Sequence, residues 1–565
     1  MRSAWPQIVI AGAALFLARG IALLSILPPF EGWDEGQHIA YIQYVAEHHA
    51  APVQGSSVVP VSLAPLFLSY PHPDSALERR AFDGIDGGTV CATNKAGILM
   101  QPMMKAWGAM NYSSFWARAK APVPLPATKD LPSVALYQAQ HPPWYYVAAA
   151  PVWQAIAPRN PLLAIAVLRA LNLLLGALTI VVIGFMLGAV VPDLACRAAA
   201  FAVIVLQPLS LLNVARVGND ALAVLLGTAA VALLATATAR RFALRMGIAA
   251  ALTALGVLVK EVTLTLVPLL PVALLVQAWR FGLPRGATVR AGIVMLVLFA
   301  AITAWPFYQN YRQYGSFTSV QGRHLMQKRG ISSLALLREI PRIDWMAHVR
   351  FVLLPGTAWV GGWSLLKPPR FLRDGNRNIM LAGALCAAAG MLLVVCRAAT
   401  RRRPLVCVSR HLCASWPPMF IFACGAGLVF AGICYHVLVY KVTKNIEVSA
   451  AWHFALALPF WLLVVMQAVQ LAARRVLLVF ATALACCFWL TELAATLGVM
   501  IPFYTSSAAP SVMFQRLAAL HPVLLHPVVL PVALLCSFVC AVTATVSFVR
   551  AVYLPPGGED TNHLA

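Results

Sequence analysis

Four short stretches concentrate ionisable residues in a chain that is otherwise poor in acids. The segment "PPFEGWDEGQHIAYIQYVAEHHAAP", residues 28–52, places Glu31, Asp34, Glu35 and His38 within eight residues. In "QHPPWYYVAAAPVW", residues 140–153, His141 precedes two prolines and an aromatic cluster. "ARVGNDALAVLLG", residues 215–227, carries Arg216, Asn219 and Asp220, and "LGVLVKEVTL" carries Lys260 and Glu261. Carboxylates and imidazoles exchange protons, and basic side chains compensate developing negative charge, so these residue types suit general-base chemistry beside an anionic group. Each stretch also has a plain structural reading. Asp34 and Asp220 can cap the helices that follow them. His141 can be incidental to an aromatic anchor at the headgroup level, and Lys260 can pair with Glu261 as a hairpin of charges. If residues 34 onward are helical, Asp34 and Glu35 share a face with His38. Tyr41, Ile39, Ile42 and Val45 then supply an apolar side suited to the membrane interface.

The elements that must position these residues are transmembrane helices. Of the 565 residues, 61% are hydrophobic and only 11% charged, with mean hydropathy +0.78, far from the globular balance. The apolar residues fall in runs near the roughly 20 residues that a spanning helix needs. Such runs are expected at roughly 7–27, 165–187, 198–216, 220–239, 246–260, 262–279, 291–309, 378–396, 417–439, 451–471, 476–497 and 526–548, about twelve in all. The first lacks a convincing cleavage site before Pro28 and reads as an uncleaved helix. The net charge of +23 would suggest nucleic acid in a soluble protein, but there is no soluble basic domain to bind it. The twelve cysteines form no CxxC or metal spacing. Most lie in apolar runs as small hydrophobes, and Cys91 alone falls in the large polar loop, so no disulfide framework is implied.

The basic residues give an orientation. With the N-terminus inside, the short cytoplasmic loops hold Arg197; Arg240, Arg241 and Arg245; Arg280, Arg285 and Arg290; Arg397, Arg401, Arg402, Arg403 and Arg410; Arg474 and Arg475; and the tail holds Arg550, with Asp193 the sole acid among the connecting loops. The four ionisable stretches then all fall outside. The expected organisation is a catalytic module over 1–320 with its outer loop at 28–164, a second outer loop at 321–377, and C-terminal helices over 378–565. The outer segment from about 310 to 377 carries Arg323 and Lys328 among eleven basic residues. They suit either anionic headgroups or a phosphate-bearing lipid. No internal repeat of the transporter kind is evident.

Taken in order, a first span, an outer "P…DE…H" segment, "HPP" followed by aromatics, and "NDAL" opening a later helix resemble the GT-C superfamily of membrane glycosyltransferases. The similarity is to the branch of protein O-mannosyltransferases and the lipid A aminoarabinose transferase, and it covers roughly the first 320 residues by motif. It implies an all-α polytopic protein that transfers sugar from a polyprenyl-phosphate-linked donor at the outer face of a cell membrane, the bacterial inner membrane. The family's catalytic base falls on Asp34, with Glu35 beside it; its donor-phosphate residue before the two prolines falls on His141, and the acid opening the later helix falls on Asp220. The chain departs from the pattern at Gln37, where the aminoarabinose branch has a phosphate-binding Arg, and at Gln140, where it has an acid. Trp452 and His453 stand where many relatives have Gly-Arg-Tyr.

The chemistry so implied is an inverting single displacement, with Asp34 taking the acceptor proton and His141, Arg323 and Lys328 balancing the phosphate that leaves. His38, Lys260 and Glu261 are further candidates. A divalent ion, magnesium or manganese, suits hard oxygen ligands such as Asp34, Glu35 and Asp220, although the spacing does not demand one. The expected partners are the lipid-linked sugar and membrane lipid, with no nucleic acid and an acceptor that the sequence leaves open. Two other classes compete: a lipid-linked glycan flippase, polymerase or transporter, which broken helices and buried mid-span charges would favour, and a non-catalytic assembly partner. Arg19 and Glu492 are the clearest charges inside the spans, and both can lie toward helix ends.

Overall fold

Residues 4–71, 107, 110–118, 131–318, 321–353, 366, 368–400, 409–445, 447, 451–521 and 529–553 are described by a computed structural model. The Pro-rich run over 120–130, Cys91 and Arg401–Arg403 lie outside them. The described residues are helical apart from connections and an isolated antiparallel bridge between Val58 and Ala135. Helix α1 (Ala4–Leu24) is followed by α2 (Glu35–His48), α3 (Trp144–Ile156) and α4 (Pro161–Val190). Next come α5 (Leu194–Leu206), α6 (Pro208–Val214), α7 (Asp220–Ala235) and α8 (Phe242–Val259). Then follow α9 (Leu269–Arg280), α10 (Arg285–Tyr314) and α11 (Gln321–Lys328). The C-terminal part supplies α12 (Arg370–Thr400), α13 (Ser409–Lys444), α14 (Leu458–Ala472), α15 (Arg474–Ala495) and α16 (Val529–Tyr553).

This is a polytopic membrane protein. Among the described residues, seven helices are long and apolar enough to cross a bilayer, or eight if the bent pair α5–α6 is one span. The sequence reading expects about twelve, and the shortfall has local causes. The run at 220–239 forms a helix of 16 residues, about 24 Å at 1.5 Å per residue against a hydrocarbon core of about 30 Å. The run at 451–471 breaks into a tight turn, Ala451–Phe454, and the 15-residue α14. The runs at 378–396 and 526–548 do form helices long enough to span, of 31 and 25 residues, so for them length does not account for the difference.

Helix α1 packs against α4 and α16, α7 against α4 and α8, and α8 against α10. Pro208 cannot donate to the preceding turn, so α5 and α6 meet at a 49° bend. The carbonyls of Val205 and Leu206 at that break are taken by Arg19 of α1, whose guanidinium also bonds Glu492 of α15. The two mid-bundle charges therefore satisfy each other and a broken helix, as backbone inside a membrane requires.

A second core lies beside the bundle. Phe30, Ile39, Tyr41, Ile42, Phe67, Tyr146 and Trp153 bury together with Ala164, Ile165 and Leu168 of α4. Phe30 stacks on Phe67 at 4.3 Å and Tyr41 on Tyr146 at 3.6 Å. The apolar side of α2 is thus covered by protein, chiefly α3 and the turn Tyr137–Gln140, rather than laid on the membrane interface.

Candidate functional site

The site is built where the chain leaves α1. Arg169, in the third turn of α4 and almost fully buried, donates to the carbonyls of Leu27 and Pro28, both at 2.7 Å, and to Glu35 through Nε at 2.7 Å. Glu35 also accepts the backbone N–H groups of Phe30 at 2.9 Å and Val217 at 2.8 Å. One buried carboxylate therefore ties the loop before α2 to α4 and to the loop before α7. Every strong acceptor direction of Glu35 is occupied, which makes it a brace rather than a reacting group. Gly32 permits the close approach: a Cβ there would lie 2.5 Å from Cβ of Arg216.

Held by this brace, Asp34 adopts the left-handed backbone conformation, φ 57°. That region is costly for most side chains and persists where neighbours impose it. The expected cap is absent: Asp34 occupies the N-cap position of α2 but makes no capping hydrogen bond. The backbone turn points its carboxylate elsewhere, to the hydroxyl of Tyr137, which donates to Oδ1. From Ala22 to Ile42 every residue is buried except Asp34. Desolvation raises its pKa above the ordinary 3.8, while the Tyr137 hydroxyl, Arg216, Lys260 and His141 oppose that rise.

Two cations, Arg216 and Lys260, lie close enough to act on it. Arg216 bonds the Trp33 carbonyl, Asn213 Oδ1 at 3.0 Å and Asp220, and Lys260 Nζ lies 2.6 Å from the other Asp220 oxygen. Asp220 is therefore clasped by two cations in the first turn of α7; the cap position belongs to Asn219, whose side chain makes no cap bond either. The expected Lys260–Glu261 hairpin is also replaced. Lys260 ends α8 in extended geometry and reaches Asp220, while Glu261 turns the other way to His141 Nδ1 at 3.0 Å.

His38 lies deeper. Its Nδ1 is 2.8 Å from the Tyr146 hydroxyl, and its ring is parallel to that of His141 with centroids 6.1 Å apart. Burial first, then Arg216, His141 and Lys260, push its pKa well below 6.5, so it is a neutral imidazole at physiological pH. His453, in the turn before α14, borders the same group. It too is held well below 6.5, by burial and by His436 and Lys260.

Asp34, His38, His141, Asp220, Lys260 and Glu261 are thus gathered at one end of the bundle, with Glu35 beneath them. Arg323 and Lys328 are both exposed on α11, and no hydrogen bond or ion pair among the described residues joins them to the cluster. Sequence reasoning missed Tyr137, which sits in a loop without a recognisable pattern. It also missed Arg169, although an arginine inside an apolar run is costly enough to have flagged itself. The carboxylates do not form a set of free oxygen ligands. Glu35 and Asp220 are matched by cations, and among the described residues no group of three or more His, Cys, Asp or Glu side chains could hold a metal ion.

Compared with known proteins, the chain matches no family model, no curated protein and no solved structure at a significant level.

Proposed function

We propose that this protein is a membrane glycosyltransferase that moves a sugar from a polyprenyl-phosphate donor to an acceptor at the outer face of the membrane, by inverting single displacement. The observation that carries the reading is Asp34: a carboxylate with raised pKa, the one partly exposed residue in an otherwise buried segment, aimed by Tyr137 and within the field of Arg216 and Lys260. A base of raised pKa takes a hydroxyl proton more readily than an ordinary aspartate. The acceptor oxygen would attack the anomeric carbon as Asp34 removes its proton, and the bond to the phosphate oxygen would break. A phosphate leaves without protonation; Lys260 and Arg216, two cations on the single carboxylate of Asp220, supply the positive field beside it. The resemblance of the acidic loop, the His-Pro-Pro segment and the helix-opening Asp220 to the GT-C pattern supports the same assignment. The positive-inside count supports its outward orientation.

Purified protein in nanodiscs, given radiolabelled polyprenyl-phosphate sugars and membrane extract as acceptor source, tests it. Transfer that is lost in Asp34→Asn supports the reading, and undiminished transfer in that variant ends it. One observation favours a second reading, transport of a lipid-linked glycan: the bent pair α5–α6 held by the Arg19–Glu492 ion pair is a broken helix inside the bundle. Flipping of a fluorescent polyprenyl-phosphate lipid in proteoliposomes that survives Asp34→Asn but not Arg19→Met would favour that reading instead.

A further inference from the structure

Gln37 is fully buried, and neither its Nε2 nor its Oε1 has a partner. Buried carboxamides are normally hydrogen-bonded, because leaving both ends unmet forfeits their solvation. Its place on α2 makes the omission informative. Gln37 follows Asp34 by three residues and precedes Tyr41 by four, so the three share one helical face. That face packs on the turn Tyr137–Gln140: Tyr137 bonds Asp34, and Tyr41 donates to the carbonyl of His141 at 3.2 Å. The facing turn carries a second unmet group. Gln138 is buried, its Nε2 donating to the Tyr137 hydroxyl at 3.2 Å while its Oε1 is unpartnered.

We infer that Gln37, assisted by Gln138, is a subsite that reads the hydroxyls of a neutral sugar beside Asp34. A carboxamide offers one donor group and one acceptor and carries no charge, which matches a hydroxyl that both gives and takes a hydrogen bond. The anionic part of a ligand is better served by Arg216 and Lys260, so neutral and charged recognition fall to different residues around Asp34. The inference rests on the glycosyl-transfer reading and deepens it by naming the residues that recognise the sugar.

The test uses the full chain in nanodiscs and its thermal midpoint with bare polyprenyl phosphate or with the same lipid carrying glucose, mannose or galactose. The wild type is expected to be stabilised more by at least one sugar-bearing lipid than by the bare one. In Gln37→Leu and Gln37→Met the ligand-free midpoint should hold or rise, since an unpaired carboxamide is replaced by an apolar group of similar size. The preference for sugar should fall roughly tenfold in apparent affinity, leaving the response to bare lipid intact. A brace role predicts the opposite, a lowered ligand-free midpoint with the sugar preference kept, and that result overturns the subsite. A wild type that answers equally to sugar-bearing and bare lipid also overturns it but leaves lipid-phosphate recognition standing. If no lipid shifts the wild type, the glycosyl-transfer reading falls, and this inference falls with it.

Discussion

Neighbouring carboxylates in one short loop have opposite fates, and their surroundings explain why. Glu35 points inward to Arg169 and two backbone amides, whereas Asp34, turned by its left-handed backbone, meets Tyr137 and stays partly exposed. Asp34→Asn should lower transfer by about a hundredfold to ten-thousandfold, the range for a lost general base, as read by initial rates. It should not lower stability. Between 3.8 and the raised value the folded chain holds a proton that the unfolded chain has released, so stability falls as pH rises through that window. Above the window the buried charge remains a cost that asparagine removes, and a lower thermal midpoint at neutral pH would contradict this account. The acid limb of the rate profile should lie above 3.8, because transfer needs the ionised carboxylate. Tyr137→Phe removes a hydrogen bond that opposes the rise, so that limb should move to higher pH. A limb that stays put or moves to lower pH would show that Tyr137 does not tune Asp34.

Around the cluster the elements are joined by buried ion pairs rather than by the caps expected of Asp34 and Asp220. Arg169 fixes the end of α1 and the start of α2 to α4, and Arg216 with Lys260 fixes α7 to α8 through Asp220. Removing one partner of a buried pair strands the other, at about 3–5 kcal/mol. Arg169→Met should therefore sharply lower the fraction of protein surviving heating in detergent. Adding Glu35→Gln should recover much of that loss, because a carboxamide oxygen still accepts an amide N–H without needing a counter-charge. No recovery in the double variant would mean that the Arg169 bonds to Leu27 and Pro28, not the ion pair, carry the stability.

Across the whole molecule the reading depends on which end of the bundle faces out. Ser56 is exposed near the cluster's end, and Thr238 is exposed in an Arg-rich connection expected inside. In intact cells a membrane-impermeant thiol reagent should label Ser56→Cys well above the parent chain and leave Thr238→Cys at the parent level until the cells are lysed. The reverse pattern would put the site in the cytoplasm and remove the outward orientation.

Composition and the length of the apolar runs determined by themselves that this is an all-α, multi-span membrane protein, because a bilayer leaves few other ways to satisfy the backbone. The ionisable stretches were legible too, since charge is conspicuous in such a chain. Span number was not. Hydropathy does not report that Pro208 bends a run or that a run stops at 16 residues. Pairing was equally hidden: near neighbours in sequence suggested that Lys260 meets Glu261 and that Asp34 and Asp220 cap helices. The folded chain instead offers Asp220 to Lys260, His141 to Glu261 and Tyr137 to Asp34 across separations of 40, 120 and 103 residues. A side chain in a low-dielectric interior goes to whichever partner best satisfies it, and only the tertiary structure decides which partner is within reach.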